Sequence, residues 1–171
     1  MFLREEYVFH ELEGICKIVD IQVAPLEGMP ADRRYYIITP LQNSNSVIYV
    51  PVDSDRVFLR RLLSRAEAEE LLDRIPFVRV IDENNPKLLR AKYQEAMGKH
   101  DPVEWVRVIK TAYLRVNTLA SRSRSARISD TERFYSENAK RFLHAELALS
   151  LGLSSDVDME RYITEHIQKM A

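Results

Sequence analysis

The strongest constraint in this chain is a change of hydrophobic period near residue 54. From Tyr7 to Val52 the apolar residues fall in short runs, YVFH, ICKIVDIQV, RRYYIITPL and SVIYVPV, rich in Val, Ile and Tyr. β-Branched and aromatic side chains suit a pleated, half-buried surface. Between the runs lie Glu13-Gly14, then Pro25, Gly28 and Pro30, then the polar stretch Gln42 to Ser46, all of it turn chemistry. This spacing predicts an antiparallel meander. Ile15, Ile18, Val19 and Ile21 break strict alternation, which predicts a bulge or strong curvature of the kind a small barrel needs.

Beyond residue 54 the period becomes 3.6. Ser64-Arg65-Ala66-Glu67 is a capping-box pattern, with Ala68, Leu71, Leu72 and Ile75 at helical spacing up to Pro76. A short helix is expected to close a first domain at 1–75, and 76–86, with two prolines and several acids and amides, reads as a linker. Four further helices are expected at about 87–97, 102–120, 130–151 and 156–170. Their ends are marked by Gly98, by Asp101-Pro102, by the capping box Ser129 to Glu132, and by acids after Ser155. The resulting expectation is an α+β chain, with an antiparallel β-barrel followed by an all-α domain over 87–171.

The 171 residues are enough for a core without covalent staples. The lone Cys16 has no partner for an intrachain disulfide, and the four histidines stand at no metal-ligand spacing. No apolar run approaches the roughly 18 residues of a membrane span, and Arg4, Glu5 and Glu6 interrupt any signal-peptide core. A cytoplasmic protein is the expectation, with no membrane partner. The four glycines form no phosphate loop, and neither a G-x-S-x-G nor an H-E-x-x-H motif occurs. Cys16 sits in an apolar strand run, and His144 and Glu146 lie two apart on a helix, where side chains do not face one another. No catalytic residue, cofactor or metal ligand is assigned, and a non-enzymatic role is expected. Trp105, amid the apolar residues of its helix, reads as core.

The formal charge of -1 conceals a pattern. Residues 1–86 balance to -5, residues 87–145 to +7, and residues 146–171 to -3. A basic segment between acidic flanks is matched to phosphate better than the total implies. Lys87, Arg90, Lys92, Arg107 and Lys110 are the candidate nucleic-acid-contacting side chains, with the arginine- and serine-rich loop SRSRSAR at 121–127 beside them.

The runs HELEGICKIVDI (10–21), RRYYIITPL (33–41), VIYVPVD (47–53) and VFLRRLLS (57–64) resemble the RNA-polymerase-interacting domain of the CarD family, which also occurs in the transcription-repair coupling factor. EWVRVIKTAYL (104–114), ISDTER (128–133) and AKRFLHAELALSLG (139–152) resemble the helical C-terminal domain of CarD-like regulators. The resemblance implies a Tudor-like or SH3-like barrel and a bacterial transcription regulator without enzymatic activity. Such a regulator docks on the RNA polymerase β subunit by adding strand to strand, touches promoter DNA through its helical domain, and stabilises the open complex. It points to Arg34, Tyr35 and Tyr49, on the two signature strands, as polymerase-binding residues. Two departures from the family stand out. Tyr49 replaces an arginine before the Val-Pro of the last strand, and the place of a DNA-wedging tryptophan is taken by Pro86 or its neighbours, with no aromatic before Tyr93. The missing wedge supports an alternative, a polymerase-binding adaptor that does not contact DNA.

Overall fold

The computed structural model describes residues 1–154, 159–163 and 165. Two compact units divide the chain, Met1–Leu62 and Leu63–Ala171.

The first unit is a single antiparallel sheet. Strands β1 (Tyr7–His10), β2 (Gly14–Val23), β3 (Arg34–Pro40), β4 (Ile48–Pro51) and β5 (Leu59–Arg61) take the order β4-β3-β2-β1-β5. β2 is long enough to serve both neighbours because it bends. Its register against β3 shifts between Ile18 and Asp20, the bulge expected from the broken alternation. The N-terminal segment seals the bend, with Glu5 N–H donating to the Ile18 carbonyl at 2.8 Å and Ile18 N–H to the Glu6 carbonyl at 2.9 Å. Val8, Cys16, Ile18, Tyr36, Ile38 and Val50 form the core on the concave face. The curl stops short of closure. β4 and β5 are the two edges and do not pair with each other, so the expected barrel is a half-barrel. Phe2 packs against this core, its N–H donating to the Tyr36 hydroxyl at 3.0 Å and the two rings 5.7 Å apart.

The second unit is helical: α1 (Arg65–Arg74), a 3-10 turn (Ile75–Phe77), α2 (Pro86–Gly98), α3 (Pro102–Arg122) and α4 (Asp130–Leu151). The starts follow local chemistry. Ser64 with Glu67 and Ser129 with Glu132 form complete capping boxes, and Asn85 and Asp101 cap helices that begin on proline. Gly152, at φ 70°, ends α4 in the left-handed conformation that glycine adopts at no steric cost. Of the last expected helix, 156–170, residues 159–163 and 165 are helical, and the others lie outside the described residues.

The division of the chain differs from the sequence expectation at two places. The boundary falls after Leu62 and not at 75, because α1 packs on α4. The turn before α1 is held there too: Leu63 N–H donates to Glu146 Oε1 at 2.9 Å, and Ser150 Oγ donates to the Leu63 carbonyl at 2.7 Å. The stretch 76–86, read as a linker, is docked on α3. Ile81 is buried, and its N–H donates to Thr111 Oγ1 at 2.9 Å.

That boundary also changes the charge arithmetic. Residues 1–62 carry 7 basic and 9 acidic side chains, and residues 63–171 carry 18 and 17. The helical unit therefore sums to +1, because the acids of 63–86 belong with it. Any basic face is local, so it has to be located side chain by side chain.

Candidate functional site

On the half-barrel, the register fixes what each strand offers. Tyr35 lies opposite Pro51 and Ile37 opposite Tyr49, so these four share the face away from the core, while Tyr36, Ile38, Ile48 and Val50 share the core face. The adjacent tyrosines thus part company as alternation requires, although Tyr35 is itself only 6% exposed. Tyr49 is half-buried and Arg34 exposed. The preceding Arg33 is engaged within the unit, where its Nε meets Asp53 Oδ1 at 2.9 Å and holds the Asp53 carboxyl below its ordinary value.

The backbone of β4 is the more distinctive feature. Val52 N–H donates to the Arg34 carbonyl at 2.9 Å, so Val52, Val50 and Ile48 face β3 in the alternating antiparallel pattern. The N–H and carbonyl of Tyr49 then face outward along an edge that no strand covers within the unit. Sequence reasoning selected Tyr49 for its side chain. The structure adds its main chain, which depends on strand order and is invisible to residue type.

On the helical unit the basic residues separate into two groups. Lys87 and Arg90 are exposed, one turn apart at the start of α2. Arg122, Arg124 and Arg127 are exposed in and beside the α3–α4 connection. The remaining basic residues selected from the sequence have internal partners. Lys92 Nζ lies 3.1 Å from Glu83, whose carboxyl is held low chiefly by the Asn85 N–H and then by Lys92. Arg107 pairs with Glu104 at 3.5 Å. Lys110 Nζ donates to three main-chain carbonyls, of Ile75 (3.0 Å), Pro76 (2.7 Å) and Val78 (2.9 Å). Further along α3, Arg115 Nε meets Glu132 Oε1 at 2.5 Å. Of the five candidates, Lys87 and Arg90 are the two without an ionic partner among the described residues, and they lie one turn apart. Arg107, Lys110 and Arg115 of α3 are engaged within the unit.

Trp105 is fully buried, its ring 5.5 Å from that of Phe142 and therefore part of the core as expected. The Cys16 thiol is pushed up to about 12, by burial first and by the Glu13 carboxylate second, so almost no thiolate forms near neutrality. Among the described residues no group of three or more His, Cys, Asp or Glu is arranged to hold a metal ion, and no helix is long and apolar enough to cross a membrane.

The β4 edge of this curled antiparallel sheet presents main-chain groups that the sheet itself leaves unpaired. Residues 2–63 match the family model of the CarD-like/TRCF RID domain, the RNA-polymerase-interacting domain, and the matched segment coincides with the first unit. The N-terminal half-barrel is thus a member of the CarD-like/TRCF RID family. No curated protein matches the chain.

Proposed function

We propose that this protein is a bacterial transcription regulator whose half-barrel, Tudor-like in fold, docks on the RNA polymerase β subunit by strand addition at β4. The observation that carries the reading is the coincidence of the RID match at 2–63 with an uncovered edge at Ile48–Pro51. A partner strand laid against Tyr49 would pair with its outward N–H and carbonyl, and Arg34 and the Tyr49 ring would flank it. Tyr35 lies on the same face as the Tyr49 ring. Such pairing gives affinity through main-chain hydrogen bonds and leaves specificity to flanking side chains.

The helical unit then contacts promoter DNA and modulates open-complex stability. Lys87 and Arg90 supply the direct phosphate contacts, Lys92 flanks them, and Arg107 and Lys110 hold the scaffold of α3 on which α2 packs. With a unit charge of only +1, autonomous DNA affinity is low, and docking on polymerase supplies the effective concentration. The second reading, a polymerase-bound adaptor that leaves DNA alone, is favoured by the internal pairing of Lys92, Arg107 and Lys110.

A promoter mobility shift with and without polymerase, using the full chain and the K87E/R90E double variant, separates the two. A regulator touching DNA stabilises the promoter complex, and the double reversal weakens that effect and its salt dependence. An adaptor gives the same result with either protein.

A further inference from the structure

An arginine three residues before a hydroxyl is the spacing by which Ser/Thr kinases with carboxylates in their substrate groove select an acceptor, through charge complementarity. Among the described residues this spacing occurs at Arg61/Ser64, Arg115/Thr118, Arg122/Ser125 and Arg133/Ser136. The fold withholds three of these hydroxyls. Ser64 is the N-cap of α1, its Oγ accepting the Glu67 N–H at 3.3 Å. Thr118 lies within α3 and donates to the Leu114 carbonyl at 2.9 Å. Ser136 is buried within α4. Ser125 stands outside both helices in the α3–α4 connection and is exposed. Its Oγ lies 3.0 Å from that of Ser123, which is exposed as well. The backbone leaves α3 at Ser123 in an extended conformation, φ -160° and ψ 138°, as an acceptor segment drawn into a kinase groove requires.

The same connection concentrates charge. Residues 121–127 carry Arg122, Arg124 and Arg127 and no acid, a sum of +3. All three guanidinium groups are exposed, and none has an acidic partner among the described residues. A phosphate on Ser125 adds roughly -2 and three acceptor oxygens beside them, which leaves the segment near +1. We propose that Ser125 is a phosphorylation site for a basophilic Ser/Thr kinase, and that its phosphate neutralises most of the basic charge of the α3–α4 connection. In the transfer, Ser125 Oγ attacks the γ-phosphorus of ATP, the bond from that phosphorus to the bridging oxygen breaks to release ADP, and the hydroxyl proton passes to the kinase's base. The proposal is independent of strand addition at β4 and of the DNA contacts assigned to Lys87 and Arg90.

The test incubates the full chain with ATP and the catalytic domain of a basophilic Ser/Thr kinase and locates the phosphate by peptide mass spectrometry. The chain recovered from the cells that make it is mapped in the same way. Phosphate is expected at Ser125 in both samples, and S125A should abolish it there. R122Q, at an exposed position, should slow transfer to Ser125 at least about tenfold, as loss of a charge read by the groove does, while R133Q should leave the rate unchanged. The phosphorylated chain should elute from heparin, a polyanion, at lower salt than the unmodified chain. Circular dichroism confirms that each variant is folded. Phosphate on Ser64 or Ser136 in place of Ser125, indifference of the rate to R122Q, unmodified Ser125 in the cellular protein, or unchanged elution from heparin would each overturn the proposal.

Discussion

Lys110 Nζ lies 2.7 Å from the carbonyl oxygen of Pro76, and the same ammonium also reaches the carbonyls of Ile75 and Val78. The Ile75 carbonyl also accepts the Val78 N–H at 3.3 Å, and one flexible cation reaches all three main-chain acceptors around this 3-10 turn. The consequence is a division of labour between basic residues that look alike in sequence.

Lys110→Met should therefore cost about 2 kcal/mol of stability, the scale of charge-assisted hydrogen bonds lost from partly buried carbonyls. It should leave promoter DNA affinity unchanged where the protein is folded. K87E/R90E should do the opposite, with an unchanged melting temperature and a salt slope reduced by about two phosphate contacts. Thermal unfolding and salt-titrated binding of both variants check the pair of outcomes.

Glu146 is fully buried on α4 and accepts the Leu63 N–H at 2.9 Å, holding the first residue of the helical unit in place. Glu146→Ala takes this acceptor from a half-buried N–H and should destabilise by about 1–3 kcal/mol. Glu146→Gln keeps a side-chain oxygen and should cost distinctly less. Comparison of the two melting temperatures checks this, and equal losses would show that the carboxylate acts through charge alone.

His10 is 6% exposed and its Nδ1 accepts the N–H groups of Leu12 and Glu13 at 3.2 and 3.3 Å, closing the β1–β2 turn. Burial lowers its pKa from 6.5, against the smaller raising effects of Glu11 and Glu13. The folded protein thus resists the proton that the unfolded chain takes up. The stabilisation from neutral His10 is complete above pH 6.5 and is lost as pH falls from there through the folded value. His10→Asn, which offers an oxygen acceptor that does not titrate, should flatten the stability profile below about pH 6.5. Urea unfolding across roughly pH 5–8 checks it.

Cys16, with its thiol near 12 and its side chain in the half-barrel core, should ignore a disulfide reagent at mildly alkaline pH in the native state and react stoichiometrically once urea unfolds the first unit. The time course of thiol release measures this directly.

Features set by neighbours in sequence were legible from the residues alone. The capping boxes at Ser64 and Ser129, the Asp101-Pro102 helix start and the β2 bulge all arise from residues close to one another along the chain. What escaped depends on distance along the chain. The period change near residue 54 shows where strands give way to helices, but the core that α1 joins is decided by Glu146 and Ser150, 83 and 87 residues beyond Leu63. Likewise the acceptors of Lys110 lie 32 to 35 residues upstream, so a count of basic side chains assigned to solvent a cation that the fold had claimed. The β4 edge was hidden for the same reason, since strand order belongs to the sheet as a whole.

Polymerase docking through the outward main chain of Tyr49 is tested most directly by Tyr49→Pro. Proline on an edge strand removes an N–H that the β4–β3 ladder does not use, so the half-barrel should keep its fold. Binding of the full-length variant to the isolated polymerase β lobe, measured by surface plasmon resonance beside Tyr49→Ala, is the decisive comparison. Strand addition predicts that Tyr49→Pro, checked as folded, loses binding at least about tenfold while Tyr49→Ala loses less. Full affinity in the proline variant would contradict docking by strand addition at β4.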